Sequence, residues 1–70
     1  MNRVRVLREI KGLNQRELSE LTHTPQSLIS AIEREVMKPW FSVAKRLSSV
    51  LDTPITELFP DDGHRLASKK

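Results

Sequence analysis

The segment Asn14-Gln15-Arg16-Glu17-Leu18-Ser19-Glu20-Leu21-Thr22-His23-Thr24-Pro25-Gln26-Ser27-Leu28-Ile29-Ser30-Ala31-Ile32-Glu33-Arg34 holds two short amphipathic runs separated by a tight turn. Asn14 with Glu17 three positions on forms a capping box, with Asn in place of the usual Ser or Thr. The first run ends near Leu21 or Thr22. Thr24 followed by Pro25 opens the second, since a proline at a helix start gives up no hydrogen bond. A connection as short as Thr22-His23-Thr24 makes two helices cross steeply. Leu18 and Leu21 are expected to meet Ile29 and Ile32 inside that corner. The outside of the second run is then Gln26, Ser27, Ser30, Ala31 and Arg34. Its leading end is short, polar and uncharged, as a surface must be to approach base edges closely.

Helical spacing continues on both sides. Val4, Leu7 and Ile10 define a first helix over about 2–11, which Gly12 terminates in a left-handed conformation with Leu13 folding back as its apolar contact. A fourth helix follows Pro39, over about Trp40 to Leu51, on Val43, Ala44, Leu47, Val50 and Leu51. Thr53-Pro54 repeats the earlier start for a short fifth, which carries Leu58 and Phe59 and ends before Pro60. No stretch alternates with period two long enough to make a strand. The expected fold is all-α, a compact five-helix domain over residues 1–60. Residues 61–70 hold one large apolar residue, Leu66, and are expected to be a flexible tail.

Composition excludes several classes of function. With 70 residues the chain builds one core, and it has no cysteine for disulfides or a thiolate metal site. Its two histidines, His23 and His64, stand far apart without ligand-like spacing, so neither a metal nor another cofactor is expected. No apolar run approaches a membrane span, and the N-terminal residues mix Arg with Val and Leu, unlike a signal peptide. A soluble, cytoplasmic protein is expected. The net charge of +3 permits nucleic-acid binding without requiring it. Neither histidine has a serine and an acid spaced for catalysis, and no glycine-rich phosphate loop is present, so an enzyme is not expected.

Taken in order, Leu7-Arg8, Gly12-Leu13-Asn14-Gln15, Glu17-Leu18-Ser19, Ser27, Ile29-Ser30, Ile32-Glu33-Arg34, Pro39, Leu47, Leu51 and Glu57-Leu58-Phe59 resemble the phage repressor and Cro type of helix-turn-helix domain. This is also called the xenobiotic-response-element (XRE) type. The resemblance covers about Val4 to Phe59 and implies a lambda-repressor-like five-helix fold that binds double-stranded operator DNA as a homodimer on a pseudo-palindrome. It implies a sequence-specific transcriptional regulator, a repressor, that reads the major groove with its third helix, about residues 25–34. An antitoxin or a restriction–modification controller shares the same domain. A helical protein-interaction module that has lost DNA binding is the alternative from another class.

Residue by residue, the resemblance places Gln26, Ser27, Ser30 and Ala31 on the bases. It places Gln15, Arg34, Lys38 and Trp40 on phosphates, and pairs Arg8 with Glu33 as a structural ion pair between the first and third helices. A solvated helix face remains the plainer account of Gln26, Ser27 and Ser30, and a good helix start that of Gln15. Phe41 is expected to pack; for Trp40, packing and phosphate contact stay equally open. Val36 and Met37 beside it form a candidate partner surface. Arg3 and Arg5 are read as the solvated face of the first helix. The chain departs from the family's pattern at His23, Glu35 and Asp52, which stand where glycine is frequent, and at Val36 and Met37, where bases are frequent.

Overall fold

A computed structural model describes residues 2–60, so the tail expected over 61–70 lies outside the described residues. The described chain is five helices: α1 (Val4–Ile10), α2 (Gln15–Thr22), α3 (Gln26–Glu33), α4 (Phe41–Leu51) and α5 (Ile55–Leu58). No residue among those described is in a strand. Each helix falls inside the span expected for it, shorter by one to a few residues at its ends.

One core joins all five. Val4 of α1, Leu18 of α2, Ile29 and Ile32 of α3, Val43, Ala44, Leu47 and Leu51 of α4, and Leu58 with Phe59 bury together. Pro39 is buried ahead of α4, whereas Phe41, expected to pack, is 39% exposed. Two apolar residues read as core lie outside it. Ile10 is 72% exposed, because the inward stripe of α1 runs through Val4, Leu7 and Arg8. Leu21 is 54% exposed, and Thr22 takes its place with no exposure at all. At 100° per residue, Gln15, Leu18, Ser19 and Thr22 share one face of α2, and Leu21 falls beyond its edge. The Thr22 hydroxyl, buried with that face, donates to the Leu18 carbonyl at 2.7 Å.

Helix ends carry the local logic of the fold. Asn14 closes the expected capping box: its Oδ1 accepts from the Glu17 N–H at 2.7 Å, and Glu17 Oε1 accepts from the Asn14 N–H at 2.9 Å. The four longer helices all stop at a left-handed residue: Gly12, His23, Glu35 and Asp52, at φ of 74°, 52°, 62° and 55°. In each case the left-handed residue and its successor donate back to the last turn. His23 and Thr24 bond the carbonyls of Glu20 and Ser19, and Asp52 and Thr53 those of Ser49 and Ser48. The α2–α3 and α4–α5 corners are in fact the same device. Ser19 Oγ donates to the Thr24 carbonyl and Ser48 Oγ to the Thr53 carbonyl. The Thr24 and Thr53 hydroxyls each donate at 3.0 Å to the carbonyl two residues back. Neither threonine therefore caps the helix after it. Pro25 and Pro54 occupy the cap positions of α3 and α5, without a side-chain hydrogen bond.

A left-handed conformation costs an L-residue with a Cβ about 1–2 kcal/mol, partly offset by the greater chain entropy that glycine loses on folding. A Cβ built on Gly12 meets nothing within 4 Å, so its backbone angle alone sets the penalty there. Gly12→Ala is expected to destabilise the domain by about 1 kcal/mol, and His23→Gly to stabilise it by about 0.5–1 kcal/mol. Urea titration followed by circular dichroism measures both, and the two changes must have opposite signs.

Candidate nucleic-acid interface

The third helix has two unlike sides. Ile29 and Ile32 are fully buried and Leu28 is half-buried, which turns the rows Gln26–Ser30–Arg34 and Ser27–Ala31 outward. Gln26, Ser27 and Arg34 are exposed, and Ser30 and Ala31 partly so. Arg34 Nε lies 3.3 Å from Ser30 Oγ and donates to it, one turn along the same row. All four residues expected at base edges thus share one accessible face.

The end of α3 is fixed to α1 by Arg8 and Glu33. Arg8 Nε donates to Glu33 Oε2 at 2.6 Å, and Nη2 to Oε1 at 3.1 Å. This two-pronged geometry suits a planar guanidinium against a carboxylate. The Arg8 side chain is 10% exposed and that of Glu33 4%. Arg8 Nη1 also donates to the Leu13 carbonyl at 2.8 Å, and Gln15 Nε2 donates to Glu33 Oε1 at 3.1 Å. One buried pair therefore links α1, the turn after it, the start of α2 and the end of α3. The hydrogen bond that Arg8 donates to Glu33 raises the pKa of Arg8 above the ordinary guanidinium value, against the opposing effect of burial, and the charges of Glu33 and Glu9 add to the rise. A raised folded-state pKa stabilises below the unfolded value and is lost only above it, so the pair is insensitive to pH around neutrality.

Around this pair lies a groove of about 340 Å³ lined by Arg5, Arg8, Gln15, Ser30, Glu33 and Arg34. Three arginines and one glutamate are among its lining residues. Arg5, read from sequence as a solvated residue, is a wall of this groove as well as a partner of Glu9 at 3.2 Å. Its spacing of three from Arg8 is the signal that places both on one side of α1. Gln15 spends one amide hydrogen on Glu33 and has a second. Lys38 is exposed on the α3–α4 connection, and Trp40, immediately before α4, is 73% exposed, which removes core packing as its role. The α4 cap has no side-chain hydrogen bond. Arg46, which drew no attention in the sequence, reaches from α4 to donate to the Thr22 carbonyl at 2.7 Å, holding the α2–α3 corner from behind.

A capped helix, a corner closed by one left-handed residue, and a second helix buried on one side and open on the other define a helix-turn-helix DNA-binding domain. Over residues 4–58 the chain matches the family described as Helix-turn-helix. It belongs to that family, the XRE type of helix-turn-helix domain. No curated protein matches it.

Breaking a buried ion pair by removing one partner costs about 3–5 kcal/mol, whereas replacing both with apolar groups costs far less. Arg8→Met and Glu33→Leu are each expected to lose most of the domain's stability, and the double variant to recover a large part of it. Thermal and urea melts test this; single variants that melt like the parent would show the pair to be dispensable.

Proposed function

We propose that the chain is a sequence-specific transcriptional regulator, a repressor, that lays α3 in the major groove of operator DNA. The observation that carries this reading is the open face formed by Gln26, Ser27, Ser30 and Ala31 on a helix whose other side is buried. Those side chains are short, so the helix axis can come near the base pairs. The Gln26 amide matches the two-point edge of adenine, the serine hydroxyls donate or accept, and the Ala31 methyl suits the thymine methyl.

Phosphates would be held on either side of that face. The groove lined by Arg5, Gln15 and Arg34 would take one phosphate, with the N–H groups that begin α2 assisting. Lys38 and the indole N–H of Trp40 would hold the backbone beyond the other end of α3. A homodimer on a pseudo-palindrome follows as the working assembly, with half-sites about one helical turn, roughly 34–36 Å, apart. Residues 1–60 would act as the DNA-binding unit.

One observation favours a second reading. Val36, Met37 and Trp40 are 66%, 49% and 73% exposed within a single connection, an apolar cluster that suits a protein partner. An antitoxin, a restriction controller or an interaction module would use it. A gel shift across a salt series separates these: a pure interaction module shows no salt-sensitive DNA binding.

Selection from random DNA supplies the operator, and two variants then test the division of labour. Gln26→Ala is expected to cost about 1–3 kcal/mol on the selected site and little on random duplex. Arg34→Ala is expected to weaken both alike and to reduce the slope of log K against log salt by about one ion. Equal losses for Gln26→Ala on the two duplexes would move Gln26 from the bases to the backbone.

A further inference from the structure

We propose that Asn2 is a positioning residue for base recognition, acting through the C-terminal end of α3; this rests on the DNA reading above. Asn2 makes three hydrogen bonds in three directions. Its Oδ1 accepts from the Val4 N–H at 3.1 Å, in the first turn of α1. Its Nδ2 donates to the Ile32 carbonyl at 2.8 Å, and its backbone N–H donates to Glu35 Oε2 at 2.7 Å. The next residue, Arg3, donates its N–H to the Leu58 carbonyl at 2.9 Å, so the same short strand of chain is fixed to α5.

The place that Asn2 grips is where α3 needs support. The helix ends at Glu33, Glu35 two residues on takes a left-handed conformation at φ 62° without being glycine, and residues 34–38 are all exposed. The last carbonyls of a helix lack intrahelical partners. Asn2 supplies one at Ile32, whose oxygen also takes the Glu35 N–H at 3.0 Å, and it holds the Glu35 side chain in place. Arg8 secures the adjacent Glu33, so the last turn of α3 is held at two separate points by α1 and the residues before it. The α2–α3 corner fastens α3 at its start, and from Gln26 to Ile32 the helix runs about 9 Å, so a tilt of about 10° about that corner shifts the Ile32 end by roughly 1.5 Å and Ser30 and Ala31 by about 1 Å. A shift of that size breaks base hydrogen bonds near 3 Å while leaving a general electrostatic grip on the backbone.

Asn2→Asp separates this role from simple capping of α1. The carboxylate keeps the acceptor for Val4 but loses the donor to Ile32 and faces Glu35 with like charge. Asn2→Ala loses both. Two measurements are made on the full chain: affinity for the DNA site selected by the parent and for random duplex, and amide exchange of Glu35 and Val36 by NMR. Both variants are expected to lose about tenfold on the selected site and under about twofold on random DNA. Exchange of the Glu35 and Val36 amides is expected to quicken by about tenfold, with α4 amides unchanged. Asn2→Asp behaving as the parent, equal losses on both duplexes, or unchanged exchange at 35 and 36 each overturns the proposal. A parent that binds no duplex sinks the DNA reading and with it the recognition role, while the exchange data still decide whether Asn2 holds α3.

Discussion

The arrangement of this domain depends on a charged pair placed where a small protein can least tolerate an unmet charge. Arg8 sits on the inward stripe of α1, on the same face as Val4 and Leu7, and Glu33 meets it from the last turn of α3. Burying either alone would force a large desolvation penalty. Together they saturate one another, and the leftover donor and acceptor capacity goes to Leu13 and Gln15. Among the described residues no buried side-chain nitrogen or oxygen lacks a partner. An apolar pair of equal volume would fill the same space but would accept many orientations. A bidentate guanidinium–carboxylate contact accepts few. Arg8 and Glu33 thereby tie α1 to the last turn of α3, the helix that carries the outward rows.

Rigidity at the other end of α3 comes from a repeated turn. Ser19 to Pro25 and Ser48 to Pro54 are closed by matching hydrogen bonds, although only Ser, Thr and Pro recur at matching places. The left-handed residue between them differs, His23 in one and Asp52 in the other. Aspartate is among the side chains that tolerate such a φ, histidine less so, and glutamate at 35 has no such preference. Three of the four left-handed helix ends thus carry backbone strain that glycine would relieve. The strain persists because serine and threonine hydroxyls, Arg46 and Asn2 fasten the surrounding turns.

Much of this was legible in the residue pattern, and the failures have physical causes. The asparagine capping box and the terminating Gly12 were readable because both are local: the partners lie within four residues. Helical periodicity likewise sufficed to place Gln26, Ser27, Ser30 and Ala31 on one face. Leu21 was misplaced because hydrophobicity alone does not set the centre of a short helix's buried stripe. Thr22 can enter the core only by returning its hydroxyl to the Leu18 carbonyl, a bond that composition does not announce. Thr24, where the pattern opens α3, turns its hydroxyl back into the corner instead. The pairing of Arg8 with Glu33 came from family resemblance alone, since nothing local joins positions 25 residues apart. Asn2 and Arg46 escaped notice for the same reason: each acts on a backbone carbonyl far away in sequence, and backbone carbonyls leave no mark on a sequence.

A domain so weakly basic raises the question of what would attract DNA, and the answer lies in how charge is distributed. Several exposed acids sit beside bases on the same helix, Glu9 with Arg5 and Glu20 with Arg16, and such surface pairs contribute little and screen easily. Glu33 is different: its charge is already consumed by Arg8 inside the protein. The groove beside α3 is left with the excess of Arg5 and Arg34, close to the positive end of α2. On the proposed DNA reading, a phosphate entering there would compete with Glu9 for Arg5 and with Ser30 for Arg34, each a weak exposed partner. On that reading the grip on phosphate is sequence-blind, and the base-facing row of α3 would supply the discrimination.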